Sequence, residues 1–129
     1  MFFTSMGYFL KMHEFSIIKN ILELVEEAAL KNNLKSVSRV VLKVGELRQI
    51  DSDYLKFAFE SSTKNSIAED AELIVEKVPI KFHCDHCQFD FTVENQMFAC
   101  SACGGESVHL ISGKEIFLER IEGEPAIGN

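Results

Sequence analysis

Long apolar runs, spare cysteines and an excess of basic charge are missing from this sequence, and each absence removes a class of function. The apolar start, Met1 to Leu10, is too short to cross a bilayer. It also lacks the basic region and small-residue cleavage site of a secretory signal. Thirteen basic side chains stand against 20 acidic ones, a formal charge of -7, which weighs against binding a phosphate backbone. There is no Gly-rich phosphate loop, and Val44-Gly45-Glu46 is not one. No Ser/His/Asp order suggests a hydrolase, and no cysteine lies outside residues 84–103 to act as a nucleophile. There are no internal repeats and no low-complexity segment. The expectation is a cytoplasmic protein with neither membrane nor nucleic acid as a partner and no visible catalytic constellation.

What is present centres on four cysteines in two C-x-x-C pairs, Cys84/Cys87 and Cys100/Cys103, with twelve residues between the pairs. Two such turns facing each other make an all-sulfur tetrahedral cage, which suits Zn²⁺. Gly104 and Gly105 follow the second pair, where the turn needs positive φ and room for amide groups near the sulfurs. The alternatives are two disulfides or four free thiols, and a chain without a signal or other cysteines argues against disulfides. A four-thiolate site has no open position for substrate, so the zinc is structural. His83 and His86 flank the first pair; His83 is the candidate to replace a thiolate as a zinc ligand, and His86 reads as exposed. His109 reads as a surface residue with no visible partner.

The chain has 129 residues, enough for one domain or two very small lobes. From Phe15 to Asn33 the pattern is helical, with Ile18, Ile21, Leu22, Val25, Ala28 and Ala29 on one face. Ser36 to Val44 reads as a strand. Asp51 or Ser52 caps a second helix, about Asp53 to Lys64. Ala71 to Val78 alternates as a second strand, and Pro79 marks an exit. A turn at Ser112-Gly113 precedes a third strand, Glu115 to Ile121, with Ile116, Leu118 and Arg120 on one face and Phe117 and Ile121 on the other. The tail from Gly123 reads as frayed. The fold class is therefore α+β: a small three-stranded sheet with two helices, plus an inserted four-cysteine zinc-ribbon lobe between two strands that could pair as neighbours. The expected divisions are an N-terminal extension at 1–11, one lobe from 12–79 and 113–124, the zinc lobe at 80–112 and a flexible tail at 125–129.

Outside the cysteines, the notable stretch is Met12-His13-Glu14. Residues 1–11 are aromatic and nearly uncharged. Either translation begins at Met12 or these residues form an extra apolar arm that packs somewhere. With Met12 as the terminus, an α-amine, a backbone amide and the His13 imidazole follow in chelating order, which favours Ni²⁺ or Cu²⁺ in tetragonal geometry. Glu14 could add an oxygen. The plainer reading of His13-Glu14 is a polar helix start, and that of Asp51 is a helix cap.

Together these pieces resemble the HypA/HybF family of nickel-insertion accessory proteins. The matching residues are Met12-His13-Glu14 with Ser16, Val44-Gly45-Glu46-Leu47, Phe57-Ala58-Phe59-Glu60, Ala71-Glu72-Leu73 leading to Pro79, and both cysteine pairs. The resemblance implies a nickel lobe and a zinc lobe. It carries nickel binding to His13, with Glu14, Asp51 and the Met12 backbone as further ligands, and structural zinc to Cys84, Cys87, Cys100 and Cys103. It implies delivery of Ni²⁺ to the [NiFe]-hydrogenase large-subunit precursor with a partner GTPase, support of urease maturation in some members, and a monomer or homodimer. The family typically begins at the methionine before His-Glu, and here eleven residues precede it. The competing classes are a zinc-ribbon nucleic-acid binder and a zinc-stapled protein adaptor without nickel.

Overall fold

A computed structural model of the chain describes residues 2–5, 14–93 and 99–126, with side chains from residue 16 onward. The first helix, α1, runs from Glu14 to Lys31. It stops where Asn33 turns left-handed at φ 53°, a conformation asparagine tolerates. Strand β2 (Leu34–Gly45) follows at once. A 3-10 turn (Glu46–Arg48) leads to α2 (Ser52–Ser62) and then to β3 (Glu72–Val78). Strands β4 (Lys81–Cys84), β5 (Asp90–Thr92) and β6 (Val108–Ser112) form a separate sheet in the order β5-β4-β6. Strand β7 (Ile116–Pro125) returns to the first sheet. That sheet also takes β1 (Phe2–Ser5) and has the order β1-β7-β2-β3.

The α+β class and the inserted cysteine lobe are as the sequence indicates, with differences that have physical causes. The first sheet has four strands rather than three, because Phe2–Ser5 pairs antiparallel with β7, Phe2 opposite Gly123 and Ser5 opposite Arg120. The strands flanking the zinc lobe, β3 and β7, are not neighbours; β2 lies between them. Val40, Leu42 and Val44 are buried on one face of β2 and Val41 on the other, the signature of a central strand. β3 joins β2 in parallel, which requires the crossover that α2 supplies.

One core fills the space between the first sheet and its helices. Ile17, Ile18, Ile21, Val25, Ala28 and Ala29 of α1 meet Leu55 and Phe59 of α2 over Val40, Leu42, Leu118 and Ile121 of the sheet. Ile121 belongs to this core, not to the face of Phe117. Val41 pairs with Arg120 and Leu42 with Leu118, so Glu119 has no partner and the strand is bulged there. One extra residue flips the alternation, and Ile121 turns inward. β7 also runs on to Pro125 instead of fraying at Gly123. A Cβ at Gly123 would lie 2.1 Å from the Ser36 carbonyl oxygen, so this glycine permits a close strand approach.

The two sheets meet at a neck of three close-packed backbones. A Cβ on Gly45 would lie 2.1 Å from the Gly113 oxygen, and a Cβ on Gly113 would lie 2.8 Å from Ile80 Cα. Hydrogen bonds clamp the same point. Gly45 N–H donates to the Glu115 carbonyl at 2.6 Å, Leu47 N–H to the Gly113 carbonyl at 2.8 Å, and Ser112 Oγ to the Pro79 carbonyl at 2.8 Å.

Candidate metal centre

The four cysteines converge because their two turns have the same backbone design. In the first, Cys84 N–H donates to the Phe89 carbonyl and Gln88 N–H donates back to the Cys84 carbonyl, both at 2.9 Å. In the second, Cys100 N–H donates to the Gly105 carbonyl at 2.9 Å and Gly104 N–H to the Cys100 carbonyl at 2.8 Å. These closures hold both sulfurs of each turn on one side.

All four Sγ atoms lie within 4.8 Å of one another, with Cys84–Cys103 at 3.7 Å and Cys87–Cys100 at 3.5 Å. Zinc–thiolate bonds of about 2.3 Å at tetrahedral angles place sulfurs about 3.8 Å apart, so the cluster fits a structural zinc site. The distances are far beyond a disulfide of about 2.05 Å. Cys84 and Cys100 are buried and Cys87 and Cys103 exposed. Apart from these two cysteines, Phe91 is the buried residue of this lobe's cluster, with Phe82, Val93 and Val108 half-covering it. So small a core needs a metal to hold it.

The second turn supplies the amide donors to sulfur. Ala102 N–H and Cys103 N–H point at Cys100 Sγ, and Gly105 N–H at Cys103 Sγ, each at 3.4 Å. Burial opposes ionisation of Cys100, but the Cys103 and Ala102 amides outweigh it and pull its thiol down into the range of a ready thiolate. Burial pushes the Cys87 thiol up, reinforced by its contact with Cys100. Metal binding to this set therefore finds one easily ionised sulfur at Cys100 and has to displace the proton of Cys87. A Cβ at Gly105 would lie 3.2 Å from Cys103 Sγ, a tight approach that would press on the sulfur.

His83 stands outside the sulfur group. Its Nδ1 meets Asp90 Oδ1 at 2.5 Å and its Nε2 meets Gln88 Oε1 at 3.0 Å. The hydrogen bond to Asp90 raises its pKa above the ordinary value, with Gln88 adding to the effect. His86 is exposed. His109 does have a partner: its Nδ1 lies 3.1 Å from Asp85 Oδ1, and its ring packs on that of His83. The ring contact crosses between β4 and β6, and no spacing in the sequence announces a cross-strand register.

Of the residues expected at a nickel site, Met12 and His13 lie outside the described residues, and Glu14 is described only as the first residue of α1. Asp51 is the N-cap of α2. Its Oδ1 accepts from Asp53 N–H at 2.9 Å and Tyr54 N–H at 3.4 Å. The preceding residue is fixed to β3 by Lys77 Nζ, which donates to the Ile50 carbonyl at 2.9 Å. Asn32 and Asn33 alone separate α1 from β2, so the helix doubles back along the strand it packs on. Its start thus lies toward the Gly45 end of β2, the end that holds Asp51 and the neck.

Fold and site together define a small α+β metal-binding protein with a closed four-sulfur centre. A family model described as hydrogenase/urease nickel incorporation, metallochaperone, HypA, matches residues 12–123. The hydrogenase maturation factor HypA of Aquifex aeolicus (strain VF5) is 38% identical over 113 residues, covering 88% of this chain and 98% of that protein. The factor of the same name from Caldanaerobacter subterraneus subsp. tengcongensis is 39% identical over 114 residues, covering 88% and 100%. The solution structure of the Ni metallochaperone HypA from Helicobacter pylori aligns with a TM-score of 0.65 at 28% identity, over 88% of this chain and 99% of that one. The solution structure of another HypA protein gives 0.70, also at 28% identity, over 92% and 100%. The chain belongs to the HypA family of nickel-incorporation metallochaperones, which are hydrogenase maturation factors.

Proposed function

We infer that this chain binds Ni²⁺ as cargo and passes it, together with a partner GTPase, to the [NiFe]-hydrogenase large-subunit precursor. Its cargo site is built on His13, with Glu14, Asp51 and, where Met12 is the terminus, the Met12 backbone nitrogen. Structural zinc on Cys84, Cys87, Cys100 and Cys103 holds the second lobe. The family's description as a hydrogenase/urease nickel-incorporation factor supports the cargo and the class of client, urease maturation proteins included.

The observation that carries the site is topological. The start of α1, just after His13, the cap residue Asp51 and the neck of the zinc lobe share one end of the sheet. An imidazole suits Ni²⁺, and a carboxylate from across the fold can bind the ion or orient the ring. A place in the reducing cytoplasm suits four cysteines held as thiolates. No helix of the described residues is long and apolar enough to cross a membrane. The adaptor and nucleic-acid readings gain no observation of their own, and a net charge of -7 disfavours the second.

Calorimetric titration of the zinc-loaded chain with NiCl₂ at fixed pH tests the reading. His13→Ala should lose the tight nickel phase and keep its zinc. Unchanged nickel affinity in that variant would overturn the cargo site.

A further inference from the structure

The zinc lobe also carries a row of histidine and aspartate side chains, on the face of its sheet away from the sulfurs. The register of β4 sets His83 opposite Asp90 on β5 and opposite His109 on β6, so the three form one row across the sheet. The next residue, Cys84, faces the other way into the sulfur cluster. The rings of His83 and His109 lie 5.2 Å apart between centroids, tilted by 51°. Each Nδ1 is taken by a different carboxylate, Asp90 Oδ1 at 2.5 Å for His83 and Asp85 Oδ1 at 3.1 Å for His109. The side chain of His83 is 24% exposed and that of His109 55%, so ions in solvent can reach them.

We propose that His83 and His109 form, through their Nε2 atoms, a second and exchangeable site for a divalent transition ion. A histidine that ligates metal through one nitrogen almost always gives its other N–H to a carboxylate or carbonyl, which fixes the tautomer and makes the ligating nitrogen more basic. Here both rings of a directly opposed pair have that arrangement, each with its own aspartate. Opposed residues on antiparallel strands have Cβ atoms about 4.5–5.5 Å apart, close enough for two imidazoles to share one ion. Gln88 Oε1 accepts a hydrogen bond from His83 Nε2 at 3.0 Å, and its amide nitrogen is anchored on the Asp85 carbonyl at 2.9 Å; an ion bound at Nε2 takes the place of that proton and can take the freed amide oxygen as a further donor. Imidazole donors select Ni²⁺, Zn²⁺ or Cu²⁺ over Mg²⁺ or Ca²⁺. Exposed ion pairs contribute little to stability, so holding the sheet together accounts poorly for two aspartate–histidine pairs in one row. Unlike the closed sulfur cage, this site is open to solvent. It does not depend on His13.

The test uses the full zinc-loaded chain carrying His13→Ala, which removes the proposed cargo ligand and leaves His83, His86 and His109 as the histidines. NiCl₂ is added at fixed pH while the imidazole resonances are followed by NMR. Paramagnetic Ni²⁺ should broaden the His83 and His109 rings first, while the exposed His86 ring stays sharp. His109→Asn should abolish this selectivity. Asp85→Asn should move the titration midpoint about 10-fold or more to higher nickel, the range typical for losing a carboxylate behind a ligand. Zinc content is measured in each variant to show that the cage is intact. Sharp His83 and His109 rings at nickel levels that broaden His86, or equal broadening of all three, would overturn the site. Neither result bears on nickel binding at His13.

Discussion

Gln88 and Gly104 occupy the same place in the two cysteine turns. Each follows the second cysteine of its pair, each is left-handed at φ 60° and 72°, and each N–H donates to the carbonyl of the first cysteine. Only one of them is the residue type that adopts this conformation freely. A Cβ at Gly104 would meet nothing within 4 Å, so a substitution there isolates the backbone cost. Gly104→Val should weaken the folded zinc lobe by about 1–2 kcal/mol. That corresponds to roughly a 10-fold faster loss of zinc to a competing chelator, with the helical core unchanged. Chelator competition followed beside circular dichroism reads both, and equal zinc retention would sink the prediction.

Cys87→Ala should unfold the zinc lobe and spare the rest. The two apolar clusters share no buried residue, and the smaller is too thin to stand alone. Metal binding in such a lobe supplies on the order of 10 kcal/mol of folding energy. Limited proteolysis should cut within residues 80–112 while α1, α2 and the four-stranded sheet stay protected. Full zinc occupancy with a resistant lobe would contradict the cage.

Asp51 is proposed to serve both the helix cap and the nickel site, and one substitution separates these roles. Serine caps helices about as well as aspartate but has no charge for a metal. Asp51→Ser should leave the melting temperature unchanged and weaken nickel binding about 10–100-fold if the carboxylate orients His13. Asp51→Ala should in addition cost about 1 kcal/mol of stability. Nickel titration and thermal melts of the pair give the answer. Wild-type nickel affinity in both would remove Asp51 from the site.

A chain made to begin at Met12 should bind nickel more tightly than the chain with residues 1–11. A free α-amine next to His13 is a better ligand at neutral pH than the amide that otherwise replaces it, and it permits a planar, diamagnetic ion. The same truncation removes β1 and leaves the outer edge of β7 without that strand. Absorption spectra with nickel added to both forms decide the point; identical spectra would count against amine ligation.

Much of this molecule was legible in the sequence because local chemistry dictated it. The C-x-x-C spacing implied convergent sulfurs, the apolar period gave α1, and an Asp-Ser before a helical pattern marked the cap at Asp51. What escaped depended on contacts between distant strands. Gly123 looks like a breaker in sequence yet allows β7 to press against Ser36. The bulge at Glu119, which turns Ile121 inward, has no local signature. The central place of β2 follows from burial on both faces, which a run such as Val40-Val41-Leu42 suggests but does not assign to a neighbour. The pairing of His83 with His109 needed a register that two isolated histidines cannot reveal.

At the neck, Gly113 is wedged against Ile80 on one side and Gly45 on the other, and its carbonyl takes the Leu47 N–H. Arg48 Nε reaches the neighbouring Lys114 carbonyl at 2.6 Å. The zinc lobe is therefore fastened to the very segment that runs on to Asp51. A partner that grips the cysteine turns also holds the handle of that segment. A turn of that handle would be passed, through the Leu47 and Arg48 hydrogen bonds, to the backbone in front of the α2 cap.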